Sequence, residues 1–274
     1  VNSVLPVATK ELRDSIGSRW LLFYAITFAL LALGLAYVGE QNLGSLGFEN
    51  FSRTTASLIN LCVLLAPLIA LSLGAGSIAG DAERGTLPYL LAQPLARWEL
   101  LVGKFMGLFM SIGTATIAGF GLAGVFIALF ASTLDVGTYL LLLGLMLALV
   151  AVMTGVGLLI SVISDGRAQA MSAALLVWFL VVLFFDLVLI ALVSEASLGG
   201  RGLLGCLLLN PVEIVRVLAI IHLEPDLTVL GPFGSYLLEE QGKSTATATL
   251  LAALAVWVVV PVSLSVWIFN DRRV

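Results

Sequence analysis

Charge is what this chain has least of. Of its 274 residues only 11% are Asp, Glu, Lys or Arg, and the formal net charge is −4, where a soluble domain carries about 25% charged residues. So sparse and slightly acidic a chain has no basic face for nucleic acid. Histidine occurs once, at His222, and cysteine twice, at Cys62 and Cys206. With Cys62 inside an apolar run and Cys206 in a distant segment, no disulfide is expected. No metal-ligand spacing occurs, so no metal site is expected; a transient copper contact by Cys206, His222 or a methionine stays open. The stretch "EEQGKST" (239–245) contains Gly-Lys-Ser, but Leu237 stands where a phosphate-binding loop needs glycine. "SDGRAQA" (164–170) lacks the further aspartates of a metal-dependent headgroup transferase. No catalytic residues and no directly bound cofactor are expected, so any ATP-driven work belongs to another chain.

Apolar residues, by contrast, make up 60% of the sequence, and the mean hydropathy is +1.12. Uninterrupted apolar runs fall at about 20–38, 56–79, 105–130, 138–163, 170–193 and 245–269. About 20 residues at helical rise cross a hydrocarbon core, so each run predicts a membrane span. Continuous rather than alternating apolarity excludes a β-barrel. The fold class expected is all-α integral membrane, with six spans in a single domain over 1–274.

Lys and Arg set the expected orientation. With the N-terminus in the cytoplasm, the inner segments hold Lys10, Arg13, Arg19, Arg84, Arg97, Lys104, Arg167, Arg272 and Arg273. The outer segments hold only Arg53, Arg201, Arg216 and Lys243. This asymmetry puts both termini in the cytoplasm, and the membrane expected is the cytoplasmic membrane of a bacterium or archaeon. Residues 1–38 are too apolar for too long to predict a cleavable signal. The outer side collects acids, among them Glu40, Glu49, Asp135, Glu195, Glu224, Asp226, Glu239 and Glu240. That surface either attracts a cation or basic partner or is simply solvated.

Four local features stand out. Residues 4–19 alternate Val4, Val7, Leu12 and Ile16 with Lys10, Arg13, Asp14 and Arg19, which predicts an amphipathic helix at the inner interface. Residues 80–104, "GDAERGTLPYLLAQPLARWELLVGK", form a polar island between spans two and three. Thr86 is expected to cap a short helix that tolerates Pro88 in its first turn and stops at Pro94. Arg97, Trp98 and Glu99 then begin the next helix. The segment 194–244 opens with apolar residues broken by glycines and by Asn210-Pro211. It predicts either a re-entrant helical hairpin before span six or an amphipathic surface helix. Lastly, Asp186 lies inside span five, where a charge must face a protein partner, water or a pathway. Small residues recur at packing distance, at Gly103, Gly107 and Ser111 and at Gly119, Gly121, Gly124, Gly155 and Gly157. These let helices approach closely within the chain or between subunits.

The polar island resembles the coupling segment of ABC-2-type transporter permeases. The matching residues are Glu83, Gly85, Thr86, Leu87, Pro94, Arg97, Gly103 and Lys104, with Arg84 departing from a more acidic run. The likeness extends over the whole chain to the permeases of the Nos system, through "KELRDSIGSRWLL", "VWFLVVLFFDLVLIAL" and "LLLNPVEIVRVL", the last containing Asn210, Pro211, Glu213 and Arg216. The resemblance implies a homodimeric permease in membrane lipid, whose coupling segment docks on a dimer of cytoplasmic ATPase subunits carrying ATP and Mg. It also implies a periplasmic partner and a role in maturing the copper sites of nitrous oxide reductase. A small cargo, a sulfur species or copper, is implied in the same way. The alternatives are an ABC-2 exporter of lipid, drug or polysaccharide, and a mechanotransmitter that moves no cargo.

Overall fold

A computed structural model of the chain describes residues 4–41, 47–130, 135–195, 200–223 and 242–271. Among them every regular element is helical. The helices are α1 (Val4–Ile16), α2 (Arg19–Gln41), α3 (Gly47–Glu83), α4 (Leu87–Leu91), α5 (Arg97–Phe130) and α6 (Val136–Ile163). They are followed by α7 (Arg167–Trp178), which runs through a π-helical stretch, Phe179–Phe184, into α8 (Phe185–Glu195). The last three are α9 (Gly200–Leu208), α10 (Pro211–Leu223) and α11 (Lys243–Asp271).

All six apolar runs of the sequence fall on these helices. Segments of α3 (Ala56–Glu83), α5 (Arg97–Leu129), α6, α7–α8 (Arg167–Leu189) and α11 are each long and apolar enough to cross a bilayer. Two bent pairs add to these. The pair α1 and α2 turns by 66°, and α9 and α10 turn by 116°. Length and composition therefore allow five to seven crossings, a range that includes the six expected. Ser18 makes the first bend. Its hydroxyl accepts the Leu21 N–H at 3.1 Å and so caps α2 while α1 runs off along another axis.

The centre of the bundle is α3 against α6. Their membrane stretches are 61% and 72% buried, whereas those of α7–α8 and α11 are 11% and 17% buried. Contact is closest at Gly74 and Gly157. A Cβ on Gly74 would meet the Gly157 Cα at 3.0 Å and the Thr154 carbonyl at 2.9 Å, so the backbones touch. Ser161 of α6 reaches into α3 and accepts the Ile78 and Ala79 N–H groups at 3.0 and 2.9 Å. An aromatic column of Tyr24, Phe28, Phe120 and Tyr139 joins α2, α5 and α6. The Tyr139 hydroxyl donates to the Phe120 carbonyl at 2.7 Å, and Tyr24 and Thr116 share a hydrogen bond of 3.0 Å. Burying these hydroxyls unpaired would cost about 1–3 kcal/mol each.

The small residues act within the chain. Gly103 and Gly107 admit α1, since added Cβ atoms would strike Val7 at 2.7 Å and the Ala8 carbonyl at 2.6 Å. Gly119 makes room for Phe28, Gly124 for Tyr139, and Gly155 for Val262, while Gly121 faces open space. The α1 helix is thus packed on α5 rather than lying free on the interface.

Candidate functional site

The polar island turns out to be three structures in succession. First, α3 runs on to Glu83, so residues 80–83 are helix and not loop. Its end is a Schellman turn: Gly85 sits at φ 68°, Thr86 N–H bonds the Asp81 carbonyl at 2.9 Å, and Gly85 N–H bonds the Ala82 carbonyl at 3.1 Å. Only glycine takes that backbone angle without strain, which explains Gly85. Thr86 precedes α4 as expected, but its hydroxyl makes no cap. It turns back to the Asp81 carbonyl at 3.1 Å and the Asp81 carboxylate at 3.3 Å, because the Schellman turn brings those acceptors closer. Second, α4 is a single turn and a quarter, Leu87–Leu91, with Pro88 in its first turn and its end at Leu91, ahead of Pro94. Leu87 is buried and Tyr89 is 78% exposed, so the helix is held by one side and presents the other. Third, α5 starts with half a capping box, in which Glu99 accepts the Ala96 N–H at 2.9 Å.

The charged residues of the island are its mounting. Lys104 is 2% exposed, and its ammonium lies 2.8 Å from Asp81 of α3 and 2.9 Å from Glu11 of α1. One lysine on α5 thereby joins three helices. Arg84 closes on Asp81 at 2.8 Å. Glu83 accepts the Arg167 N–H at 2.8 Å, which caps α7. Arg97 donates to the Phe269 and Asn270 carbonyls at 3.0 and 2.9 Å, at the end of α11, and lies over the Phe269 ring. Of the residues expected to couple to a partner, Glu83, Arg97 and Lys104 each also make a contact within the chain, with Lys104 buried, Arg97 half-buried and Glu83 exposed. The exposed surface of the island runs from Ala82 to Thr86, through Pro88 and Tyr89, to Ala92, Gln93, Pro94, Ala96 and Trp98.

At the other end of the bundle the structure brings together residues that the sequence offered separately. Asp186 lies at the start of α8, and both its oxygens are 3.0 Å from Arg216 of α10. Glu213, one turn before, takes the same guanidinium nitrogen at 2.6 Å. The Nε of Arg216 is buried with no hydrogen-bond partner among the described residues. Asn210 holds the elbow between α9 and α10. Its amide donates to the Val181 carbonyl in the π-helical stretch at 2.7 Å, and its oxygen accepts the Val212 N–H at 2.9 Å. Pro211 and most of α10 are buried, so α10 is no surface helix. His222 bonds only its own helix among the described residues, at the Leu218 carbonyl. Among the described residues no three metal-capable side chains cluster. The acidic positions Glu224, Asp226, Glu239 and Glu240 lie outside the described residues, as do Arg272 and Arg273.

Sequence reasoning missed Asp81 and Glu11 as partners. The signal was a lone lysine at the start of an apolar run, which must find carboxylates somewhere.

Comparison with known proteins gives the family. The model of the family described as ABC-2 family transporter protein matches residues 5–274. The chain is 36% identical over 280 residues to the "Probable ABC transporter permease protein NosY" of Stutzerimonas stutzeri, covering 99% of both chains. It is likewise 36% identical over 282 residues to the protein of that name from Pseudomonas aeruginosa, again over 99% of both. A multi-pass helical chain matched by this family from end to end belongs to the ABC-2 transporters, as a permease subunit of an ABC transporter.

Proposed function

We propose that this permease couples ATP hydrolysis by a separate cytoplasmic ATPase to the maturation of the copper sites of nitrous oxide reductase. It would work as a homodimer on two ATPase subunits, with both termini in the cytoplasm and the α9–α10 hairpin re-entering the outer leaflet. The observation that carries the reading is how the island is mounted. A short helix with an exposed Tyr89 stands on a base keyed to α1, α3, α5, α7 and α11 through Lys104, Glu83 and Arg97. Displacement of that helix is therefore passed to five others at once, since packed helices move as stiff bodies.

The output on the far side is export of a small cargo, a sulfur species or copper, or reshaping of a periplasmic partner. One observation favours the mechanical version. Asp186 sits at membrane depth, yet both its oxygens are taken by Arg216, which ties α8 to α10 rather than leaving a carboxylate for cargo.

Pull-down of the cognate ATPase and its permease-stimulated hydrolysis test the coupling. Tyr89→Ala is expected to weaken capture with the permease still stable, because that side chain touches little of its own chain. Capture and hydrolysis both unchanged in that variant would remove the docking assignment. Sidedness is checked separately: a cysteine at position 89 should label from the cytoplasm and one at position 228 from outside, and the reverse pattern inverts the topology.

A further inference from the structure

Two cavities of different character adjoin at the inner end of the bundle. The first, about 270 Å³, is half polar, is lined by charged side chains and lies among α1, α3, α5 and α7. The second, about 390 Å³, is almost wholly apolar and lies among α2, α3 and α7. Trp20, Ser72 and Met171 line both, so the two meet at these residues. From that shared neck the apolar part runs along α2 to Thr27, back along α3 to Leu65, and forward along α7 to Leu175. On α2 and α3 that is seven residues away from the coupling segment, or about 10 Å of helix. The slot therefore points toward mid-membrane, and its polar mouth sits where Trp20 and the α1–α2 bend mark the interface.

The polar end has one cation too many. Its acids are Glu11, Asp14 and Asp81. Lys104 answers Glu11 and Asp81, Arg84 also answers Asp81, and Lys10 answers Asp14 at 3.5 Å. Arg167 is the fourth cation in the cavity, and its guanidinium makes no ion pair among the described residues. Its stem is laid in place by two glycines one turn apart on α3. A Cβ on Gly80 would lie 3.6 Å from its Cδ, and one on Gly76 would lie 3.8 Å from its Nε. The backbone N–H of Arg167, not its side chain, holds Glu83. The guanidinium is thus free to form charge-assisted hydrogen bonds to an anion at the mouth of an apolar slot.

We propose that this cleft binds a membrane phospholipid, with the phosphate at Arg167 and an acyl chain between α2, α3 and α7. An apolar slot opening from a cationic mouth fits an anionic amphiphile and does not fit a small inorganic ion, which would leave the slot empty. A lipid there would pack between α2 and α7, helices that each lie against α3 and enclose the slot from either side. The site stands independently of the cargo and of the maturation role, since it depends only on which end of the bundle meets the interface.

The test uses the purified permease–ATPase complex and a phosphatidylglycerol carrying a diazirine midway along one chain. A diacylglycerol with the same chains serves as the headless control. After irradiation, peptide mapping should place the label on α2, α3 and α7 around Phe23, Leu68 and Leu175. Phosphatidylglycerol should label about tenfold more than diacylglycerol, the factor for one charge-assisted contact. Arg167→Gln should bring it down to the diacylglycerol level, whose persistence reports that the slot is intact. Leu68→Trp should fill the slot and suppress both probes. Three results overturn the proposal. One is no label in the slot in the assembled complex, as when a second copy of the chain covers it. Another is equal labelling by both probes in the unmutated protein. The last is suppression by inorganic phosphate as complete as by unlabelled phosphatidylglycerol, which would make the mouth a free-phosphate site.

Discussion

Two groups of charge are held inside this otherwise apolar chain, one at each end of the bundle, and they are built differently. At the coupling end Lys104 serves two carboxylates, and its side chain is 3% exposed against 9% and 12% for Asp81 and Glu11. At the far end Arg216 likewise serves two carboxylates, and although Glu213 is enclosed at 5%, Arg216 is 27% exposed and Asp186 is 35% exposed. The inner group joins α1, α3 and α5, of which α1 and α5 approach closely through Gly103 and Gly107. The outer group joins α8, which follows a π-helical stretch, to α10, which follows a 116° elbow. Irregular helix beside a half-open ion pair can shift between arrangements, whereas an enclosed triad inside close packing has one. The inner group is an enclosed clamp, and the outer group is the more open of the two.

The largest effect should come from breaking the clamp. Lys104→Met leaves Glu11 without its cation and Asp81 with Arg84 alone, and removing one partner of a buried ion pair costs about 3–5 kcal/mol. The variant should express poorly and melt early in detergent, while Lys104→Arg should recover much of the loss. Equal stability of the Met variant and the unmutated protein would show that the two ends are not distinct in kind. At the outer group, Asp186→Leu strips one carboxylate from Arg216 and should cost about 1–3 kcal/mol of assembly. Asp186→Asn keeps the shape and a hydrogen bond, so the complex should form in normal yield. If the outer group takes up motion, the Asn variant should still lower the copper-site absorbance of the reductase in cells. Full absorbance in both variants would leave Asp186 with neither role.

A smaller change is expected from Arg97→Ala, which frees the last carbonyls of α11. A charged side chain at a helix C-terminus contributes about 0.3–1 kcal/mol, so the fold should survive. ATP hydrolysis should continue with weaker dependence on the permease, because the segment is then keyed to one helix fewer. Glu83→Ala is its counterpart at the start of α7, removing the acceptor of the Arg167 N–H, and should behave alike. Unchanged coupling in both variants would confine the mounting to Lys104. Asp135 lies outside both groups and serves as the control. It caps α6 through Gly137 and Thr138, and those hydrogen bonds, the Thr138 hydroxyl first, hold its carboxyl below the ordinary range. A depressed carboxylate stabilises the fold above its unfolded-state pKa, and that contribution disappears as pH falls through the lower folded value. Asp135→Asn should flatten this acid limb of a melting-temperature profile and leave coupling untouched.

Much of the coupling segment was legible because it is local. Gly85 after an acidic helical turn, Pro88 near a helix start, Glu99 three residues after Ala96 and the elbow at Asn210-Pro211 are all short-range stereochemistry. One local inference failed, the cap by Thr86, since a side chain that can cap forward can equally turn back to a nearer carbonyl. The identity of Asp186 as a residue in need of a partner was also plain from its place in an apolar run.

By itself the sequence determined that the chain is helical and membrane-spanning, where its apolar runs lie, that the chain breaks at Asn210-Pro211, and that its few internal charges would have to be answered. Hydropathy and capping act over one or two turns, so they survive reading along a line. Only the tertiary structure decided which charge answers which. Lys104 meets Glu11 across 93 residues, Arg97 meets Phe269 across 172, and Arg216 meets Asp186 across 30. Those pairings depend on how each helix is rotated about its axis and where its glycines let a neighbour in, and helix rotation is set by packing in three dimensions.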